Sequence, residues 1–417
     1  MTSQPKVEYS GWGEDFEVSA PGKVILHGEH SVVHGGTALA ASLGLRTKLQ
    51  VSSSYPASLG VDFPNIGLKR NYLVADVVKV ILGHETLKSI PMLKADEDIP
   101  METSQLLLSS LKVEGDTMQP QQETALACLF HLLLCAGREV IKHNNDLKDQ
   151  WPIIPAATFH IDTKLPVGAG AGSSAAFSVC LASASIHLMY ALACGDKTWG
   201  FGEFSQDQLQ QVSRLANSGE RFMHGRPSGV DSAICTYGGV VRFKSGKVEP
   251  IGQIPLRVLL VDSGVARQTK AMVAIAHGRL DRHPLVMSSI LDAMDKVSVR
   301  ALDLLKNLTE NPHDMQVYQN LEELLDVNQG LLWSLGVSHP ALDQILSLGH
   351  SVAHLHGKLT GAGGGGLAYL LLPPASKENL EKQVDSLNKL KVVLAESGYH
   401  SEEVVLGGPG IEMHIVS

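Results

Sequence analysis

Between Thr163 and Cys194 the chain reads TKLPVGAGAGSSAAFSVCLASASIHLMYALAC, and the first half of that stretch has the residue types of an anion site. Gly168, Gly170 and Gly172 alternate with Ala169 and Ala171. The backbone can therefore take φ > 0 and approach a ligand with no Cβ in the way. Ser173 and Ser174 then open a helix, each a good N-terminal residue, and a helix's first turn leaves about four N–H groups without internal partners. Those donors and the positive end of the peptide dipole hold phosphate without a basic side chain, and a serine hydroxyl there can ligate magnesium. A Gly/Ser linker into a core helix is the plainer reading of such a run. Three alternating glycines, two serines and an all-apolar helix in that order favour phosphate. No lysine follows the last glycine, which disfavours a Walker-type loop.

Three charged side chains can act on such a ligand. Lys23 follows Pro21-Gly22, read as a turn ending the strand Phe16 to Ala20. It suits pairing with phosphate oxygens, or is a solvated lysine beside a turn. Glu220 falls at the edge of the apolar stripe Leu209, Val212, Ala216 and Met223, on a helix opened by a Ser205/Gln208 capping box. A carboxylate there needs a partner, either a magnesium ion or an arginine. Asp231 lies in GRPSGVDSAICTYGG, read as a tight turn that presents its carboxylate to a site or bonds its own backbone.

Histidines supply a rival chemistry. His30 and His34 stand at i, i+4 beside His27 and Glu29, as in a zinc enzyme. The HExxH order is absent, however, and no third ligand at the right spacing lies nearby. His350, His354 and His356 fall in a helical stretch and read as exposed. The segment KLTGAGGGGLAYLLL from Lys358 formally contains GxGxxG. It lies between a helical segment and a strand, the reverse of a dinucleotide fingerprint. Its bare backbone suits packing against the ligand or the first glycine loop.

The elements that must carry these residues follow from periodicity. Leu39 to Val51 alternates as a strand, Asn65 sits on a loop, and helices are expected near 72–82, 102–112 and 121–142. A strand at 157–163 leads into the glycine loop, and the helix after it should be buried at the centre. Then come a helix to about Met223, a hairpin (239–243 and 247–251), a strand Leu256 to Val261, mostly helix over 263–353 with Arg267 and Thr269 in the loop before it, a helix at 376–397 and a strand Glu412 to Val416. Pro255 separates hairpin from strand, which puts a domain boundary near 252: residues 1–252 and 253–417.

Bulk properties bound the rest. With 417 residues, 44% hydrophobic, 18% charged and 5% aromatic, the chain reads as a two-domain α+β protein. Its net charge of −9 argues against a general nucleic-acid surface, so an anionic substrate must be held by local donors. No apolar run is read as reaching the ~18 residues of a membrane span, because His131 interrupts Leu126 to Gly137. Residues 1–14 lack the apolar region of a signal peptide. The cysteines, at 128, 135, 180, 194 and 235, form no CxxC pair and read as buried thiols of a reducing, cytoplasmic setting.

Three motifs in this order, APGKVILHGEH (20–30), LPVGAGAGSSAA (165–176) and KLTGAGGGG (358–366), resemble the GHMP small-molecule kinases. The resemblance runs from about residue 16 to the C-terminus, and GERFMHGRPSGVD adds to it. It departs at Val167, Ala171 and Ser232, where the family usually has proline, leucine and asparagine. It implies an α+β fold of two domains, the first like ribosomal protein S5 domain 2 and the second ferredoxin-like, with the site between them. It implies residues 168–174 around ATP phosphates, Asn65 and Thr163 at the nucleotide, Ser174 and Glu220 on Mg2+, Asp231 as general base with Lys23 beside it, and Glu29, His30, Arg267 and Thr269 on the acceptor. The implied acceptor is the C5 hydroxyl of mevalonate, in isoprenoid and sterol biosynthesis. The alternatives are phosphomevalonate, galactose or homoserine as acceptor, or a silent nucleotide sensor. A homodimer and prenyl diphosphate feedback inhibitors are also implied, with no membrane or nucleic-acid partner.

Overall fold

The computed structural model describes residues 13–94, 97–112, 117–143, 145–166, 168–225, 227–374 and 380–416. Val167, the lead-in as far as residue 12 and the start of the expected 376–397 helix lie outside them. The strands are β1 (Phe16–His27), β2 (Ala38–Ser53), β3 (Ser58–Phe63), β4 (Leu68–Leu73), β5 (Ala157–Thr163), β6 (Val240–Lys244), β7 (Lys247–Gly252), β8 (Leu256–Asp262), β9 (Gly357–Leu359), β10 (Leu367–Leu371), β11 (His400–Leu406) and β12 (Glu412–Ile415). They form one sheet in the order β4-β3-β5-β2-β11-β8-β10-β9, with β1 between β2 and β12 and β6 between β2 and β7. Among the described residues, only β3 and β5 pair in parallel.

The helices are α1 (Val74–Gly83), α2 (Glu85–Lys88), α3 (Met101–Leu111), α4 (Pro120–His143), α5 (Ser173–Cys194), α6 (Gln206–His224), α7 (Val230–Tyr237), α8 (Thr269–Arg282), α9 (Pro284–Glu310), α10 (Met315–Leu335), α11 (Pro340–Ala353) and α12 (Leu380–Glu396). As its apolar circumference predicts, α5 is the central helix. It packs on β1 and β2 and is flanked by α4, α6 and α7. At the start of α6 the expected capping box forms, Ser205 Oγ accepting from the Gln208 amide and Gln208 Oε1 from the Ser205 amide.

Several expectations change. Pro21-Gly22 is not a turn: β1 runs through it with a shift of register against β2, so Lys23 stands inside a strand. Gly22 is there for close approach, since a Cβ would come within 2.5 Å of the Ala171 carbonyl in the glycine loop. Asp231 is not in a tight turn but in the first turn of α7, behind Gly229 in the left-handed region. The strand at the C-terminal end, β12, does not complete the second half of the chain but pairs with β1. Both α4 and α5 are long and apolar enough to span a membrane, contrary to the reading of composition. Their apolar windows are 83% and 72% buried inside the protein, the state of core helices. Among the cysteines, Cys194 is exposed and Cys135 only half-buried, while Cys128, Cys180 and Cys235 are buried. His350 and His354 are exposed as expected, but His356 is half-buried and its Nδ1 is hydrogen-bonded to Asp326 Oδ2 at 2.7 Å.

Candidate active site

A cavity of about 530 Å³ opens where the loop before α5 meets β1, α6, α7 and the segment after β8. Lys23, Asn65, Thr163, Ser173, Ser174, Asp231, Arg267 and Thr269 line it, with Gly168, Gly170, Ala171 and Gly172 forming one wall. Phe63, Ile66 and Phe177 give it an apolar side. The three glycines have φ of 79°, 85° and 79°, the left-handed region that residues with a Cβ disfavour. The loop is held in place where the Lys23 amide donates to the Ala171 carbonyl at 2.8 Å.

Gly172 itself is the N-cap of α5, and no side chain caps the first turn. The serines therefore occupy the first two helical positions rather than capping, which leaves the first-turn amides to a ligand. Ser174 Oγ shares a 2.9 Å hydrogen bond with His224 Nε2. At the far side Asn65 clamps the end of β5, its Oδ1 accepting from the Thr163 amide (3.1 Å) and its Nδ2 donating to the Thr163 carbonyl (3.4 Å).

The Lys23 ammonium lies 3.2 Å from Asp231 Oδ2, with Lys23 only 7% exposed and Asp231 37%. A lysine held in a strand beneath a carboxylate adds a positive charge at the loop. Glu220 sits below this pair. It is fully buried, not at the stripe's edge, and its Oε2 accepts a hydrogen bond from Ser232 Oγ. Burial, then the nearby charge of Asp231, pushes its carboxyl up to about 7.

Arg267 lies between the two glycine motifs. A Cβ on Gly170 would stand 1.5 Å from its Nη1, and one on Gly361 2.6 Å from the same atom. Gly366 in turn lies so close to the first loop that its Cβ would be 2.9 Å from the Ala169 carbonyl. The third motif thus packs its backbone on the first loop, as its composition predicts. Arg267 Nε donates to Thr269 Oγ1 at 3.3 Å.

Residues 133–239 match the family described as GHMP kinases N terminal domain, and residues 304–390 match GHMP kinases C terminal. Over its length the chain is 35% identical to the mevalonate kinase of Bos taurus, the match covering 95% of this chain and 94% of that one. It is also 35% identical to the mevalonate kinase of Homo sapiens, with the same coverage. The chain belongs to the GHMP kinase family. The solved structure of L. major mevalonate kinase in complex with R-mevalonate shares the fold, with a TM-score of 0.58 at 21% identity over 98% of this chain and 100% of that one.

Within this GHMP kinase, two residues expected at the acceptor are not in the cavity wall. Glu29 is buried in an ion pair with Lys358. His30 Nε2 donates to the Ala362 carbonyl at 2.8 Å, and its φ is 60°. The ring of His34 packs edge-on against His277. His224, which meets Ser174, carried no signal in the sequence beyond its place three residues after Arg221 on the same helix.

Glu220 gives the kinase a measurable pH signature. Its folded carboxyl holds the proton up to about 7, above the ordinary 4.5. What Glu220 contributes to stability is therefore present below the ordinary value and is lost as pH rises through 7. With no divalent cation added, Glu220→Gln should match or fall below the parent at pH 4. At pH 8 it should exceed the parent by up to about 3 kcal/mol. Melting curves at both pH values check this, and a difference between variant and parent that does not change with pH would refute it.

Proposed function

We propose that this kinase transfers the γ-phosphoryl group of ATP to the C5 hydroxyl of mevalonate, giving 5-phosphomevalonate and ADP. The observation that carries the phosphoryl-transfer reading is the Lys23–Asp231 pair at 3.2 Å, set beside the uncapped start of α5 and its three left-handed glycines. The relatives named mevalonate kinase support the choice of acceptor.

In this reading residues 168–174 hold the triphosphate through loop and first-turn amides, and the base lies toward Asn65, Thr163 and Phe63. Ser174 and Glu220 offer a hydroxyl and a carboxylate, the hard oxygen donors that magnesium takes. A carboxyl pushed up to about 7 by burial and by Asp231 is one that a cation would stabilise in its charged form, so these residues fit Mg2+. Bound there, the ion would neutralise charge on the β- and γ-phosphate oxygens.

An alcohol is a weak nucleophile at neutral pH. Asp231 accepts the hydroxyl proton as the new O–P bond forms, and the bond from the γ-phosphorus to the bridging oxygen breaks to release ADP. Lys23, paired with Asp231 at 3.2 Å, stabilises charge on the transferring oxygens. Arg267, unpaired with any carboxylate among the described residues, and Thr269 face the acceptor, the guanidinium suiting its carboxylate. A homodimer and prenyl diphosphate feedback belong to the same reading and are supported by family resemblance, whereas division of the chain near residue 252 is supported by Pro255 between the hairpin and β8, and a cytoplasmic setting by the cysteine pattern.

ADP release from Mg-ATP, followed in a coupled assay with mevalonate, phosphomevalonate, galactose and homoserine in parallel, tests the acceptor. Turnover with mevalonate alone is expected. Turnover only with another acceptor would overturn the substrate while leaving the phosphate chemistry, and ATP binding without turnover would point to a silent sensor.

A further inference from the structure

Residues 25–30 at the end of β1 are fastened almost one by one to the C-terminal half. Thr360 Oγ1 accepts from the Ile25 amide (2.8 Å) and donates to its carbonyl (3.0 Å), and Tyr369 OH donates to the Leu26 carbonyl (3.1 Å). At the centre lies Lys358, 0% exposed, whose Nζ donates to Glu29 Oε1 and, at 2.6 Å, to the Leu359 carbonyl. The same ammonium stands 5.6 Å from the centre of the Tyr369 ring. Asn328 Nδ2 donates to Glu29 Oε2 at 3.4 Å.

A fully buried ion pair gains little over apolar side chains of the same size, because both charges lose their water. This one also leaves polar atoms unsatisfied, since Asn328 Oδ1 and the buried His27 Nδ1 have no hydrogen-bond partner. Stability alone is a poor reason to keep such a cluster. Its neighbourhood supplies another. His30, next to Glu29, donates to the Ala362 carbonyl, and Gly361 before it stands against the Arg267 guanidinium, so the Glu29–Lys358 pair and Arg267 meet the same short stretch, residues 358–362. No carboxylate among the described residues is in ion-pair contact with that guanidinium.

We infer that Lys358 is a positioning residue for acceptor binding: by pairing with Glu29 it keeps that carboxylate from drawing Arg267 out of the cavity. The ammonium on β9 satisfies the Glu29 charge locally, and Arg267 stays between the two glycine motifs, free for an anionic acceptor. This rests on the acceptor reading proposed above.

The test compares KM values for mevalonate and ATP in the full-length wild type, Lys358→Met, and the double variant Glu29→Gln with Lys358→Met. Lys358→Met should raise the mevalonate KM by about tenfold or more, with the ATP KM within about twofold. Removing the Glu29 charge as well should return the mevalonate KM to within about threefold of wild type, a rescue that a purely structural role would not give. An unchanged mevalonate KM in Lys358→Met, or a double variant as impaired as the single, would overturn the inference. Should Lys358→Met fail to fold, Asn328→Leu takes its place. It strips the second donor from Glu29 and should raise the mevalonate KM about threefold, and no rise would count against the inference. A wild type that turns over no carboxylate-bearing acceptor sinks both readings, whereas an active wild type with unaltered variants sinks this one alone.

Discussion

Asp231→Asn should lower kcat by about 10²-fold or more, with the KM for ATP little changed. The carboxylate is the group placed to take the hydroxyl proton, and the amide that replaces it is nearly the same size but accepts no proton. Because Asp231 is 37% exposed and Lys23 is its one ion-pair partner among the described residues, the fold should tolerate the change, and the melting temperature should move little. Lys23→Met should cause a loss of similar size by a different route. It removes the positive charge next to Asp231 and the phosphoryl oxygens, from a side chain only 7% exposed. Steady-state kinetics with saturating ATP and mevalonate decide the matter. An Asp231→Asn enzyme with near-normal kcat would remove Asp231 as the base and leave charge stabilisation by Lys23 and the helix start to account for catalysis.

The second large effect is expected at Gly172. Its φ of 79° lies in the left-handed region, where a residue with a Cβ is disfavoured by roughly 1–2 kcal/mol. An added Cβ would also stand 2.7 Å from Lys23 Cγ and 3.2 Å from the Lys23 backbone nitrogen. The backbone of β1 is fixed by its sheet, so the loop has to move. Gly172→Ala thus displaces the α5 N-cap, the first-turn amides and Lys23 together. A shift of about 1 Å in such a site costs on the order of 10²-fold, so kcat/KM for ATP should fall by about that factor. Gly168→Ala is the useful control, because its φ is also 79° but no atom lies within 4 Å of the added Cβ. Equal losses in the two variants would mean that backbone strain alone, and not contact with Lys23, is responsible.

What the sequence made legible was local. Alternating glycines before two serines announced the loop, and all three did take positive φ, because a requirement for missing Cβ atoms is written directly in residue type. The apolar circumference of α5 announced its burial in the same way. The misreadings share a cause, which is that the partner lay far along the chain. Pro21-Gly22 has the composition of a turn, but the demand on Gly22 is set by the carbonyl of Ala171. Glu220 looked like an edge residue on its own helix because the elements covering it, with Ser232 among them, come later. Glu29 was a polar residue beside histidines until Lys358 and Asn328, about 300 positions away, closed over it. Lys358 was visible as the first residue of a motif, yet nothing in KLTG shows that its ammonium is sealed from water.

The pairing of β12 with β1 bears on how the protein is made. Phe16 leaves the ribosome about 400 residues ahead of its ladder partner on this side, Ile415. At a synthesis rate of about 5–20 residues per second, β1 waits on the order of tens of seconds for that neighbour. During that interval one side of a strand carrying Lys23 and resting on the core is an open row of amides and carbonyls. The nascent chain is vulnerable at the strand that bears its chemistry, and about 400 further residues must be made before that edge can be closed.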